Sequence, residues 1–239
     1  MDRVKKLLII KNGTTFSFIR EKYGDFEDHI LRLIEVPAED VVIASVYRDK
    51  VLPKLQDISA IILTGSHSMV TDHEAWSVAL ANWLRKIRDL PIPILGICYG
   101  HQLIAHTFGG TVAYHPDGEE IGSVKIDLTA AGRQDALLGV LPEQFWGYVS
   151  HAQTILKLPP GAKLLAKNNF EPHHSFVFDD HIWGVQFHPE FNQGITSSYI
   201  ESGREDLMKE GKNVESLTRS VIEHDYGMKL LQQFIKLAD

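Results

Sequence analysis

The sequence has 239 residues and only one cysteine, Cys98. A single cysteine cannot form a disulfide within the chain, and it cannot hold a structural zinc ion by itself. Both ways of stabilising a fold are therefore excluded. The thiol of Cys98 acts either as a small buried apolar group or as a reactive group, and its sequence context has to decide between the two.

Long apolar runs are also absent. No segment approaches the ~20 consecutive apolar residues that a membrane-spanning helix needs. The first thirteen residues pass from a charged start into a short apolar run without a small-residue cleavage site. We therefore expect no secretory signal peptide and a cytoplasmic location.

Basic residues are outnumbered. The chain has 24 Lys and Arg against 31 Asp and Glu, which gives a formal net charge of −7. Nucleic acids and anionic membranes are normally bound by basic surfaces, so we expect neither as a partner. Small molecules and other proteins remain as the expected partners. With 44% hydrophobic and 23% charged residues, the composition is that of an ordinary globular protein, and the length suits a single domain over residues 1–239.

Short apolar runs rich in β-branched residues alternate with helical spacing in the first hundred residues. The runs are 7–10, 41–46, 60–64 and 93–97, and the helical segments are 26–34, 74–88 and 99–108. The apolar face of the second helical segment is predicted to contain Val78, Leu80, Ala81, Leu84 and Ile87. This alternation predicts an α/β fold with a parallel, doubly wound sheet.

The pattern changes after Gly110. Shorter alternating segments predict antiparallel and mixed strands at 111–114, 122–128, 145–150, 154–158, 174–179 and 181–187. Gly109 or Gly110 is predicted to end the preceding helix in a left-handed conformation. The last part of the chain, about 193–239, predicts a C-terminal helical addition to a core of about 5–192. Its helices are expected over about 196–210 and 214–237, and the charged run 201–212 forms a solvated helix, a lid or a partner surface.

Cys98 lies where the buried strand 93–97 runs directly into the helix 99–108. Gly96 and Gly100 flank it in the G-x-nucleophile-x-G pattern of a nucleophile elbow. Missing side chains at these glycines let strand and helix pack closely around the nucleophile. The thiol also faces a helix N-terminus, where unpaired N–H groups and the helix dipole stabilise a thiolate. The pattern favours a nucleophile, although Gly-x-Cys-x-Gly also occurs in packing turns.

A second candidate segment is Gly184-Val-Gln-Phe-His188-Pro-Glu190. An apolar strand is predicted to end at His188, and strand alternation would point Glu190 to the same side. A nucleophilic cysteine needs a base that takes and returns the proton, and a carboxylate that orients this base. His188 and Glu190 suit these roles. Taken alone, the segment is more typical of a strand end with a capping histidine and a solvated glutamate.

Together, the stretch from Pro93 to Gln102 and the stretch from Gly184 to Glu190 resemble the paired signature of class I glutamine amidotransferase domains. These are the glutaminase halves of GMP synthase, carbamoyl-phosphate synthase and similar enzymes. The resemblance covers about residues 5–192, and it is similar to the stand-alone GMP-synthase-like branch. It implies a flavodoxin-like three-layer sandwich with a mostly parallel central sheet. It also implies hydrolysis of glutamine through a γ-glutamyl thioester, with release of ammonia and without a cofactor.

Carried over by position, the resemblance implies that Cys98 is the nucleophile, His188 the general base and acid, and Glu190 the orienting carboxylate. It implies an oxyanion hole made by the backbone N–H groups of Ser66 and Tyr99. Two such donors contribute strongly to stabilising the transition state. The residues that the resemblance assigns to substrate binding are Gly65, Gln102, Ser150, His151 and Ala152.

Two segments depart from the family's pattern. The usual Gly-Gly-Pro turn is Gly65-Ser66-His67 here. The substrate segment, commonly Ser/Asn-His-Gly, is Ser150-His151-Ala152, followed by Gln153 where acidic or aromatic residues often occur. The methyl group of Ala152 and the amide of Gln153 could reshape the pocket around the α-amino and α-carboxylate groups. These departures put the specificity for free glutamine in question, and not the hydrolysis.

Twelve histidines raise the question of a metal site. No HExxH motif or comparable ligand spacing is present, so we expect no metal. His101 and His106, on the helix after Cys98, are expected to be packing residues.

Three functions stay open. The first is a glutaminase that passes ammonia to a synthase on a separate chain. The second is a self-sufficient γ-glutamyl peptidase or hydrolase for glutathione-like compounds, which the altered substrate segment supports. The third is a catalytically silent binding module, against which the presence of Cys98, His188 and Glu190 argues.

Overall fold

The computed structural model describes residues 6–49, 52 and 54–238. The predicted absence of a signal peptide rests partly on residues 1–5, which lie outside the described residues. Within the described part, no helix is both long enough and apolar enough to cross a membrane.

The described residues form eleven strands and nine α-helices. The strands are β1 Lys6–Lys11, β2 Val41–Ser45, β3 Ile58–Leu63, β4 Ile94–Ile97, β5 Thr111–Tyr114, β6 Glu120–Leu128, β7 Gln144–His151, β8 Gln153–Lys157, β9 Lys163–Lys167, β10 Ser175–Phe178 and β11 Ile182–Val185. The helices are α1 Ser17–Tyr23, α2 Phe26–Leu31, α3 Val46–Asp49, α4 Ala75–Ile87, α5 Tyr99–Thr107, α6 Gln193–Ser202, α7 Arg204–Lys209, α8 Val214–Arg219 and α9 Tyr226–Lys236.

Nine of these strands form one sheet in the order β2-β1-β3-β4-β11-β10-β9-β6-β7. The strands from β2 to β11 are parallel to one another. Each later neighbour is antiparallel to the strand before it. Among the described strands of this sheet, all but β10 and β6 therefore run in the same direction. The small sheet of β5 and β8 is antiparallel.

Side chains of the central sheet enter two separate cores because successive residues of a strand point to opposite faces. Leu7 and Ile9 of β1 lie in the core that also contains Leu230 and Phe234 of α9. The other face of β1 lies in a second core with Leu80 and Leu84 of α4 and Leu103 of α5. Helices thus cover both faces of a mostly parallel sheet. This confirms the predicted flavodoxin-like three-layer α/β fold.

Several element boundaries differ from the predictions. The helix predicted over 26–34 ends at Leu31, and Val46 begins α3 instead of ending β2. Both α1 and β9 were absent from the sequence-based prediction. Val78 is 45% exposed, because it lies about 200° around the helix axis from the buried Leu80. The predicted left-handed helix end is confirmed at Gly109, whose φ is +96°.

The C-terminal addition contains four short helices instead of the two predicted. The first predicted helix is divided at Gly203, and the second is divided over residues 220–225. New N-caps start two of the helices: Asn192 accepts from the N–H of Ile195 at 2.9 Å, and Asn213 accepts from that of Ser216 at 2.8 Å. These caps satisfy backbone donors that a helix start leaves unpaired.

Candidate active site

Cys98 occupies a sharp turn between β4 and α5. Its φ is +49° and its ψ is −99°, a backbone conformation that residues other than glycine rarely adopt. Its N–H donates to the carbonyl oxygen of Val185 at 2.8 Å, and its carbonyl oxygen accepts from the N–H of Gln102 at 3.1 Å. The turn is therefore fixed from the neighbouring strand and from the helix that it starts.

The two glycines beside Cys98 are required by close backbone approach. A Cβ at Gly96 would lie 2.5 Å from the carbonyl carbon of Gly100, and a Cβ at Gly100 would lie 2.7 Å from the carbonyl oxygen of Leu63. Neither space holds a methyl group. The glycine spacing of the nucleophile elbow thus has the steric reason that the sequence indicated.

His188 and Glu190 form a buried pair. Nδ1 of His188 lies 2.7 Å from Oε1 of Glu190, and the two residues are only 4% and 3% exposed. The His188 N–H donates to the carbonyl oxygen of Tyr148 at 2.7 Å. The imidazole stacks on the ring of Phe191, with centroids 3.9 Å apart. The ring is thus oriented by a carboxylate on its edge and an aromatic face beside it.

The predicted reason for this pairing was wrong. β11 ends at Val185, at the register position opposite Ile97, where its partner strand β4 also ends. His188 and Glu190 therefore lie in the turn after the strand, and strand alternation does not bring them together. Pro189 lies between them and has no N–H to continue a ladder.

The imidazole of His188 lies beside Cys98. Gly65 leaves the space for this contact, since a Cβ there would lie 3.1 Å from Cε1 of His188 and 3.8 Å from Cβ of Cys98. Burial alone would lower the pKa of His188. The negative charges of Glu190 and Cys98 outweigh burial and raise this pKa to about 10. The site therefore favours a protonated imidazole beside the sulfur.

The backbone N–H groups of Ser66 and Tyr99 have no protein acceptor within the part of the chain that the structure describes. Tyr99 begins α5, where a helix leaves its first N–H groups unpaired. Both residues line the same cavity as Cys98. The two donors predicted for an oxyanion hole are thus brought to the sulfur's cavity with their N–H groups available.

The turn that carries Ser66 is fixed by the loop after β1. The N–H of Asn12 donates to Oγ1 of Thr64 at 3.0 Å, and its side-chain amide donates to the Thr64 carbonyl oxygen at 2.7 Å. Gly13 lies so close that a Cβ there would be 2.6 Å from Oγ of Ser66. Sequence reasoning missed both residues. The Asn-Gly dipeptide directly after a strand was the available signal.

A cavity of about 430 Å³ opens at the sulfur, a size typical of small-molecule sites. Its lining includes every residue predicted to bind substrate except Gly65, which lies against His188. The full lining is Phe16, Ser66, His67, Ser68, Met69, Cys98, Tyr99, Gln102, Glu119, Ile121, Ser150, His151, Ala152, Gln153, Tyr199, Ser202, Gly203 and Asp206.

The predicted substrate residues differ in how freely they face this cavity. The amide nitrogen of Gln102 donates to the carbonyl oxygen of Gln153 at 2.8 Å and to Oε1 of Gln186 at 2.9 Å. The carbonyl oxygen of Ser150 lies 3.9 Å from Sγ of Cys98. Ser150 is therefore beside the sulfur of Cys98, whereas the amide group of Gln102 is held by the protein.

The His151 side chain belongs to a buried polar network. Its Nδ1 lies 3.0 Å from the carbonyl oxygen of Gln153, and its Nε2 lies 3.0 Å from Oε2 of Glu120. Burial lowers the pKa of His151, but the bond to Glu120 and the charge of Glu120 outweigh burial and raise it. Asn168 also donates to Glu120, at 2.8 Å. Both ring nitrogens of His151 are thus occupied by the protein itself.

The C-terminal addition supplies part of the cavity wall. Four of the lining residues come from it: Tyr199, Ser202, Gly203 and Asp206. The hydroxyl oxygen of Tyr199 lies 2.7 Å from Oγ1 of Thr15 and 3.2 Å from Nε2 of His67. Sequence reasoning did not identify this wall beyond the suggestion that 201–212 might shape a lid. No sequence motif marks these residues.

The same addition also supports the turn of His188. A Cβ at Gly227, in the first turn of α9, would overlap the carbonyl oxygen of Pro189. The hydroxyl of Tyr148 donates to the carbonyl oxygen of Ile222 at 2.9 Å, and the Tyr148 ring stacks on His224 with centroids 4.1 Å apart. Since Tyr148 also binds the His188 N–H, the addition contacts the turn from two sides.

No group of three or more His, Cys, Asp or Glu residues that could hold a metal ion occurs within residues 6–49, 52 and 54–238. His101, in α5, is buried without a hydrogen-bond partner on either ring nitrogen in this part of the chain. Its ring packs against Phe176, with centroids 5.1 Å apart.

A cysteine at a nucleophile elbow beside a buried histidine and glutamate is the arrangement of a cysteine-dependent hydrolase. Comparison with known proteins identifies the family. A model of the family "Glutamine amidotransferase class-I" matches residues 23–203. The chain belongs to this family.

Two relatives of this chain are a gamma-glutamyl peptidase and a GMP synthase. Gamma-glutamyl peptidase 4 of Arabidopsis thaliana is 29% identical over 217 residues, covering 84% of this chain and 82% of that protein. A GMP synthase [glutamine-hydrolyzing] of Porphyromonas gingivalis is 38% identical over 148 residues, covering 61% of this chain and 28% of the synthase. The chain thus spans only a minor part of the GMP synthase that it matches.

Solved structures agree on the fold. A glutamine amidotransferase from Thermotoga maritima superposes with a TM-score of 0.73 at 20% identity, covering 99% of both chains. A glutamine amidotransferase from Methylobacillus flagellatus gives a TM-score of 0.69 at 20% identity, covering 98% of this chain and 95% of that one. These likenesses extend over the core and the C-terminal helices alike.

Proposed function

We propose that this protein is a cysteine-dependent amidohydrolase that cleaves the γ-glutamyl amide of glutamine and releases ammonia. The observation that carries the proposal is the buried pair of His188 and Glu190 beside Cys98, which itself lines a cavity of about 430 Å³. In this proposal the chain acts as one cytoplasmic domain without a cofactor or metal.

The first half of the reaction forms a γ-glutamyl thioester. Sγ of Cys98 attacks the amide carbon while His188 holds the proton of the sulfur. The N–H groups of Ser66 and Tyr99 stabilise the negative oxygen of the tetrahedral intermediate. His188 then returns the proton to the leaving nitrogen, the C–N bond breaks, and ammonia departs.

The second half hydrolyses the thioester. His188 accepts a proton from a water molecule, whose oxygen attacks the thioester carbon, and the same two N–H groups stabilise the second intermediate. The C–S bond breaks and glutamate is released, while His188 keeps the proton beside the sulfur. Glu190 orients the imidazole and stabilises its protonated form in both halves.

A second candidate is hydrolysis of larger γ-glutamyl compounds by the chain alone. It is supported by the relative named gamma-glutamyl peptidase, because the match covers most of both proteins. The chemistry is unchanged, since a γ-glutamyl peptide differs from glutamine only in its leaving amine. In the glutaminase alternative a synthase on a separate chain would receive the ammonia. Docking would then matter, because free ammonia is mostly protonated at neutral pH.

The test is product formation by the purified chain, with glutamine, γ-glutamyl dipeptides and glutathione compared at equal concentration. We expect turnover to fall by about 10⁴-fold or more in Cys98→Ser while the thermal midpoint is retained. Hydroxylamine added during turnover should be captured as γ-glutamyl hydroxamate, because it attacks the thioester.

The outcomes separate the candidates. Ammonia from glutamine supports the glutaminase, and faster cleavage of the larger substrates supports the peptidase. Hydrolysis retained by a folded Cys98→Ser protein would contradict both.

A further inference from the structure

Glu119 is a cavity carboxylate that the reaction steps above do not use. The other acidic side chain in the cavity wall, Asp206, is exposed and pairs with Lys209 at 2.7 Å. Glu119 is partly buried, and its carboxylate forms no ion pair within the described residues. A half-buried carboxylate without a direct ion pair is costly to keep ionised.

Ser150 contacts both the carboxylate of Glu119 and the sulfur of Cys98. Its Oε1 accepts from Oγ of Ser150 at 3.3 Å, and the carbonyl oxygen of Ser150 lies 3.9 Å from Sγ of Cys98. Ser150 therefore connects the position where the amide carbon reacts with the position of the carboxylate.

Lys212 fixes the backbone of Glu119 without neutralising its side chain. Nζ of Lys212 donates to the Glu119 carbonyl oxygen at 2.7 Å and pairs with Oε2 of Glu210 at 2.9 Å. Burial raises the pKa of Glu119, against the opposing effects of the Lys212 charge and the Ser150 hydrogen bond. A cation bound beside this carboxylate would offset the effect of burial.

By the resemblance, Gln153 occupies the position at which the family often has an acidic or aromatic residue. Its amide is neutral, and its Nε2 donates to Oγ1 of Thr71 at 2.6 Å. Its Oε1 is buried and has no partner among the described residues. The residue after Ala152 therefore offers no negative charge to a substrate.

We infer that Glu119 is the specificity residue that binds the α-ammonium group of a γ-glutamyl substrate. The inference rests on the proposed function, because it assumes a γ-glutamyl group at Cys98. In such a group, two methylenes separate the reacting carbonyl carbon from the α-carbon. Cys98 and Glu119 both line the cavity that would hold this group. The contact would be a charge-assisted hydrogen bond.

The kinetic test compares glutamine with glutaramate, which is glutamine without its α-amino group. We expect Glu119→Gln to lower kcat/KM for glutamine by about 10- to 100-fold, mainly through KM. The value for glutaramate should change by less than about threefold, because this substrate never makes the contact. Glu205→Gln is the matched control, since it removes one carboxylate from α7 outside the cavity.

A structural role for Glu119 predicts a different result. Loss of Ser150 orientation would slow both substrates equally, and an equal loss would overturn the inference. If only γ-glutamyl dipeptides are hydrolysed, the same comparison uses glutaryl dipeptides, which lack the α-amino group.

A binding test does not depend on turnover. In Cys98→Ala, we expect glutamine to bind more tightly than glutaramate, and addition of Glu119→Gln should remove this preference. Equal binding of the two ligands by Cys98→Ala would overturn the inference, even if the wild-type protein hydrolyses glutamine. A preference that depends on Glu119, found in a protein without Cys98-dependent hydrolysis, would instead refute the proposed function alone.

Discussion

The core, residues 6–192, and the C-terminal addition, residues 193–238, contribute to the candidate site in different ways. The core carries Cys98, His188 and Glu190 on structures that follow from local sequence. The addition carries none of these groups but supplies cavity wall and contacts the turn of Pro189. The comparison shows that the candidate reactive groups lie in the core alone, whereas both parts of the chain supply the wall of the cavity.

The strongest way to test this division is to remove reactive groups of the core. We expect His188→Ala to lower kcat by about 10⁴-fold or more, because it removes the proposed base beside Cys98. The loss of kcat in Glu190→Gln should be roughly 10- to 100-fold smaller than in His188→Ala, since this substitution keeps a hydrogen-bond partner for the ring and removes only the charge. Steady-state rates on the best substrate measure both. Wild-type rates in both variants would place the base elsewhere.

A smaller effect is expected from the addition. Gly227→Ala would force α9 away from the carbonyl oxygen of Pro189. We expect a loss of about 1–3 kcal/mol in the free energy of unfolding and a kcat lower by about tenfold. Urea denaturation and kinetics measure the two losses. Gly203→Ala is the stability control, because its Cβ would lie at an ordinary 3.6 Å from Leu207. Equal losses in both variants would contradict a supporting role for α9.

The smallest effects concern the pH dependence of stability, which should differ between the two parts. The pKa of His188 in the core is raised from 6.5 to about 10 by the charges that outweigh burial. Between these two pH values the folded state holds a proton that the unfolded state has lost. The contribution of His188 to the free energy of unfolding is therefore present below pH 6.5 and is lost as the pH rises toward 10. The pKa of His224 in the addition is lowered by burial to about 4. Its contribution is present above pH 6.5 and is lost as the pH falls toward 4.

Urea denaturation between pH 4 and 10 tests this difference. We expect His188→Gln to flatten the alkaline side of the stability profile, and His224→Gln to flatten the acid side only. The acid-side change should be the smaller one, because burial also lowers the pKa of His29, His67 and His174. A change on the wrong side for either variant would contradict the assigned protonation states.

The fold was predictable where local constraints act on consecutive residues. Buried parallel strands require apolar runs, and the packing of Gly96 and Gly100 around Cys98 requires glycine, so both appear in the sequence. His188 and Glu190 were predicted to lie together through strand alternation, but the strand ends at Val185 and the two residues lie in the turn after it. Pro189 already indicated that the strand stops before it.

The remainder depended on contacts between distant segments. Glu119 and Tyr199 belong to no sequence motif. Their place in the site is seen only from their contacts with Ser150 and Thr15. α1 was missed because a seven-residue helix with only Ile19 buried has almost no apolar periodicity. Short strands such as β9 give an equally weak signal.

The contact between Gly227 and Pro189 also bears on the order of events during synthesis. Contacts near both ends of the described chain must form before the site is complete. Asn12 holds the turn of Ser66 through Thr64, and Gly227 lies against Pro189 in the turn of His188. A nascent chain still lacking α9 would therefore hold its thiol in an unfinished enclosure. On the proposed function, activity is expected only once almost all of residues 6–238 have left the ribosome, so translation delays the appearance of that activity.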